Sequence, residues 1–211
     1  NFGTQAYRRD YDNLPAYFNL ESKDSLAVLQ KERRGILFVN TQRKLNFYLR
    51  ALWGRDFFLR PTGADFADFR PYIETHVLHM PDAVDDIDGI PGLEVYRATA
   101  AHMAAHMSYT HVALSAEELS PAQMNFIGLL EDARVEYKAI QAFPGLKNLW
   151  CSLLSLEYEE APEHPAIVEL ERVALMLLDS GVRCDQPELN EFADRFHQQI
   201  DARQGDPQFS W

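Results

Sequence analysis

Two histidines four residues apart, His102 and His106, stand in the run YRATAAHMAAHMSYT at 96–110. On a helix that spacing puts both imidazoles on one face, a turn apart, where they can aim at a single point. The same face carries Val95, Ala98, Thr99, Tyr109 and Ala113, small or apolar apart from two hydroxyls, which marks it as buried or as the wall of a cleft. Each imidazole nitrogen buried without a partner costs about 1–3 kcal/mol. Zinc relieves that cost directly, because it takes imidazole nitrogens and carboxylate oxygens in a roughly tetrahedral shell. The alternative is a pair of histidines bonded to carbonyls or carboxylates, and a third ligand decides between the two.

The next helical run, LLEDARVEYKAI at 129–140, supplies three carboxylates, Glu131, Asp132 and Glu136. Leu129, Leu130, Ala133, Val135 and Ile140 spread around most of its circumference, so this helix is buried on several sides. Asp132 and Glu136 form an unfavourable like-charge pair one turn apart, partly offset by Arg134 and Lys138. Glu131 shares its side with Met124, Gly128 and Val135, and the glycine lets a second helix come close. A connector of about ten residues allows the two helices to lie antiparallel. The expected metal site is therefore His102, His106 and Glu131, with Asp132, Glu136, Arg134 and Tyr109 orienting those ligands or replacing the third. In the competing arrangement Arg134 pairs Glu131 or Glu136 and no metal is held.

Two histidines and a later glutamate form the ligand set of H-E-x-x-H peptidases, but the general-base position after His102 holds Met103, which cannot accept a proton from bound water. Glu94 or Glu136 would have to stand in. No catalytic residue is assigned, and a structural or binding role for the metal is favoured over a peptidase. Other polar clusters carry less. DDIDG at 85–89 echoes a calcium loop, but Val84 and Val95 fall at its first and last ligand positions. His76 and His79 are candidates for a fourth ligand, His111 faces away from His102, and Cys151 and Cys184 are given no chemistry.

The 211 residues suit one domain, 46% hydrophobic and 25% charged, with enough apolar surface to close a core. A net charge of -12 repels phosphate backbones and anionic lipid, which argues against nucleic acid and membrane partners. With no long apolar run and no secretory signal at the start, a cytoplasmic location is expected. Helical periodicity recurs at 23–34, 36–53, 65–75, 93–113, 120–142, 146–158, 165–180 and 187–203, while strand-like alternation is sparse. The fold class reads all-α, with a zincin-like helix pair at its centre. SPAQ at 120–123 spells a capping box with proline in the first turn, and MPDAVDDIDGIPG at 80–92 holds too many breakers to be anything but loop. The aromatic segment LNFYLRALWGRDFFLRP at 45–61 suits core packing first and a partner surface second.

YRATAAHMAAHMSYT, LLEDARVEYKAI and FPGL at 143–146, preceded by FRPYIETHVLHMP at 69–81, resemble the helical region of the NorD and CbbO proteins. That resemblance implies an adaptor for a MoxR-type AAA+ ATPase, recognising a client metalloenzyme that the ATPase remodels: nitric oxide reductase for NorD-like members, rubisco for CbbO-like ones. Such adaptors carry a C-terminal von Willebrand factor A domain with a D-x-S-x-S motif. The motif is absent here, so the chain is expected to be a fragment lacking that domain. No G-x-x-x-x-G-K-[ST] loop occurs, which leaves ATP hydrolysis to the partner.

Overall fold

A computed structural model describes residues 35–62, 71–111, 117, 119–159 and 165–202. Strand β1 (Ile36–Leu37) leads into helix α1 (Phe38–Trp53), whose Phe38, Thr41, Leu45 and Leu49 recur at helical spacing and are buried. Gly54, in the left-handed conformation, stops the helix by returning its N–H to the Arg50 carbonyl. Strands β2 (Phe58–Pro61), β3 (Tyr72–Glu74) and β4 (Val77–Met80) form a sheet in the order β2-β4-β3, with β2 parallel and β3 antiparallel to β4. Alternation along β4 sends Leu78 and Met80 into the core, where they meet Phe38, Leu45 and Leu49 of α1. β5 (Ala83–Val84) then pairs antiparallel with β1.

The remaining elements are helices: α2 (Gly92–Tyr109), α3 (Pro121–Ala142), α4 (Gly145–Glu159), α5 (Pro165–Leu178) and α6 (Pro187–Ala202). Helices thus dominate the described residues, and none is long and apolar enough to cross a membrane. The all-α expectation needs correction for five short strands. Tyr72–Glu74, read as the end of a helix at 65–75, is a strand, and β5 interrupts the stretch read as loop at 80–92. Runs of two to four residues are too short to show a period of their own. The expected helix at 23–34, and residues 65–70 of the other, lie outside the described residues.

Helix α2 is the axle of the molecule because alanine lets other elements approach it closely on two sides. Tyr96, Ala100, Met103 and Ala104 pack against α1 and the sheet. Ala98, Ala101 and Ala105 pack against Leu146 and Trp150 of α4, and the Trp150 indole N–H donates to the Ala98 carbonyl at 3.1 Å. The remaining side, with His102 and His106, is left to α3. The start of α2 is held by main-chain contact. A Cβ on Gly92 or on Gly35, which has φ +87°, would run into the same Val84 carbonyl oxygen. Asp86 accepts the Gly92 N–H at 2.8 Å, so the acidic loop places a carboxylate at the positive end of the helix.

Helix α3 starts as its sequence implies: Ser120 accepts from the Gln123 N–H, and the Gln123 side chain accepts from the Ser120 N–H at 2.9 Å. It is buried on two sides, with Val135 and Ala139 against α4 and α2, and Ala133 against Val173, Met176 and Leu177 of α5 and Phe196 of α6. Those contacts set the rotation of α3 and so decide which of its acidic residues faces α2.

Candidate metal centre

Asp132 is the carboxylate of α3 that reaches both histidines, while Glu136 reaches His102 alone. Its Oδ1 lies 2.9 Å from His106 Nε2 and 3.8 Å from His102 Nε2, and the two Nε2 atoms are 3.2 Å apart. Among the described residues these three side chains form the one group whose donor atoms lie close enough together to share a metal ion.

The hydrogen bonds around the triad settle which imidazole nitrogens are free. His102 Nδ1 lies 2.8 Å from Glu136 Oε1, an acceptor when ionised, so Nδ1 carries the proton. His106 Nδ1 lies 3.2 Å from Thr110 Oγ1. That hydroxyl spends its own proton on Glu131 Oε1 at 2.5 Å and so accepts from His106. Both Nδ1–H groups are thereby committed outward, leaving two Nε2 lone pairs converging on each other and on a carboxylate oxygen. Three electron-rich atoms at this separation could share a cation among them. A proton can lie between only two. The circle through all three has a radius of about 2 Å, the length of a zinc–nitrogen or zinc–oxygen bond, so one ion fits all of them.

The metal-free cluster relies on protons. Burial works against a charged His102, but the Glu136 hydrogen bond with the charges of Glu136 and Asp132 outweighs it, holding the pKa of His102 above the usual histidine value. Side-chain exposure rises from 14% at Glu136 to 48% at Asp132, so the cluster opens to solvent on its aspartate side.

Glu131, expected as the third ligand, is not in the cluster. Its two oxygens accept from Nε and Nη2 of Arg134, both at 2.6 Å, three residues along the same helix. Arg134 is buried to 2% and also donates to the Tyr109 carbonyl at 2.9 Å. A guanidinium desolvated to that degree demands a carboxylate, and Glu131 is the one within its reach. The pairing of Arg134 with Glu131 that the metal-free alternative called for is present, beside the three clustered side chains. Glu136 is hydrogen-bonded to His102, and Tyr109 contributes its carbonyl to the arginine. Thr110 was overlooked, although it continues the four-residue spacing of His102 and His106 by one more turn.

His76, His79 and His111 stay out of the cluster, and His79 stacks on Tyr72 in the sheet with ring centroids 4.3 Å apart. Glu94 pairs with Arg97 at 2.5 Å. Met103 is 4% exposed and packs into the core beside α1 and the sheet, so the residue after His102 does not face the triad. Of the aromatic segment, Phe57 is buried, whereas Phe47 and Phe58 are exposed. Cys151 and Cys184 are free thiols.

A cleft of about 440 Å³ adjoins the triad, walled by His102, Asp132 and Glu136 on one side and by Leu154, Leu170 and Glu171 on the other. That volume lies within the ordinary range for small-ligand sites, about 300–1,000 Å³. No protein-family profile, curated protein or solved structure matches the chain.

Proposed function

We propose that the chain is a zinc-binding, non-catalytic adaptor domain. It acts in the cytoplasm beside a MoxR-type AAA+ ATPase and helps that ATPase activate or assemble a client metalloenzyme, nitric oxide reductase for a NorD-like member. The metal half rests on one observation: two imidazole lone pairs of fixed tautomer and one aspartate oxygen lie on a common circle of about 2 Å radius. Two imidazoles with a single carboxylate are a zinc-type donor set, whereas calcium or magnesium would call for more oxygens. Bound zinc would supply a positive charge shared by α2 and α3. Glu136 and Thr110 hold the two imidazoles in the orientation that binding needs.

The adaptor half is supported by the resemblance of the histidine and E-D-A-R-V-E helices to NorD and CbbO proteins, by the lack of a phosphate-binding loop, and by the burial of Met103 where a hydrolase needs its base. A second reading, a metal-dependent hydrolase, is favoured by the cleft beside the cluster.

Elemental analysis after zinc reconstitution should return about one zinc per chain, and none for Asp132→Asn with His106→Ala. Immobilised zinc-loaded chain should retain a MoxR-type ATPase and release it on chelation. Failure to take up zinc overturns the metal half. Chelator-sensitive peptide hydrolysis overturns the adaptor in favour of the hydrolase.

A further inference from the structure

Across the cleft from the histidines, α5 presents Glu171, whose Oε2 is buried and has no hydrogen-bond partner. Arg172 Nη1, next along the helix, is directed to Glu169 at 3.5 Å. Glu136, the other carboxylate of the cleft not in the triad, is taken by His102. A carboxylate oxygen removed from water and left unpaired is costly, and it is met where an incoming ligand completes the site. The walls that lead to Glu171 are aliphatic, formed by Leu129, Leu154 and Leu170.

We infer that this cleft binds a primary alkylammonium group, its charged end on Glu171 and its carbon stem along the three leucines. An apolar stem suits the walls and a cation suits the acid. One buried oxygen is better matched by a compact ammonium than by a guanidinium, whose planar fork seeks two. The chain's negative charge favours the approach of such a ligand from a distance. The inference goes beyond the metal reading and does not need the ion, because Glu171 is not one of the clustered donors.

Calorimetric titration of n-hexylamine, as its ammonium ion, and of n-hexanol into the metal-free full chain tests it. The ammonium should bind at least about tenfold more tightly than the alcohol. Glu171→Gln should erase that preference while unfolding no earlier than the wild type, because the oxygen it alters is buried without a partner. Ala174→Leu, which fills the cleft and leaves the acid in place, should weaken both probes. The same titration with Nα-acetyl-lysine methylamide separates the sources: binding assigns the ammonium to a polypeptide side chain, and binding of hexylamine alone assigns it to a free amine. Equal affinity for hexylamine and hexanol, a preference that survives Glu171→Gln, or no binding at millimolar probe overturns the inference. Because these titrations use metal-free protein, a chain that takes up no zinc removes the metal reading and leaves this result standing.

Discussion

The two sides of helix α2 are built on opposite terms. Toward the sheet, Tyr96, Ala100, Met103 and Ala104 are almost wholly buried, and the Tyr96 hydroxyl donates to the Pro81 carbonyl at 2.7 Å. Toward α3, His102 and His106 face carboxylates through lone pairs and protons, and the balance of charge depends on what occupies the space between them. The first side is complete as it stands. The second could take a cation, and a peptidase-like spacing of histidines is presented there without a glutamate after the first, because that position belongs to the dry side.

The harshest way to break the comparison is Met103→Glu, which restores the letter of the H-E-x-x-H motif. The new carboxylate would sit among Phe38, Leu45 and Leu78 with no cation, so urea unfolding should show a loss of about 4 kcal/mol or more and peptide turnover should stay absent. A stable, zinc-dependent peptidase from this single change would sink the account of that side.

Two adjacent acids sharpen it next. Glu131→Gln half-strips a buried guanidinium and should cost about 3 kcal/mol of stability in urea, with zinc affinity held within about tenfold. Asp132→Asn should do the reverse: zinc affinity falls at least about a hundredfold by competition with a chromophoric chelator, and metal-free stability moves by no more than about 0.5 kcal/mol. If the two variants exchanged phenotypes, Glu131 would be the ligand after all. Thr110→Val probes one step further out and should weaken zinc by about tenfold by freeing the His106 ring.

The gentlest test is pH. The pKa of His102 is raised on folding, so its proton stabilises the metal-free chain fully below the unfolded value near 6.5, and that contribution fades as pH climbs through the higher folded value. Zinc competes for the same site, so its affinity should rise over that window. A metal-free stability that stays flat there, with zinc affinity falling, would contradict the assigned partners of His102.

Local signals made much of this readable in advance. The histidine-bearing helix, the Ser120 cap and the stop of α3 at Phe143 all follow from periodicity and capping within a few residues of chain. Which acid joins both histidines was not readable, because Glu131 and Asp132 differ by about 100° around the helix, and which of them faces α2 depends on how Ala133 and Val135 seat in two different cores. The burial of Arg134, which removes Glu131 from contention, depends on the same seating. The strands escaped because pairing partners such as Ile36 and Val84 are distant in sequence, and each strand alone is too brief to declare itself.

The Val84 carbonyl, pressed from both sides by Gly35 and Gly92, makes those two positions energetically coupled. A methyl group at either must displace the same piece of β5, and the displacement that admits one also makes room for the other. Damage at the pair is therefore less than the sum of its parts, a non-additivity arising where the strand ladder and the histidine-bearing helix share a single oxygen atom.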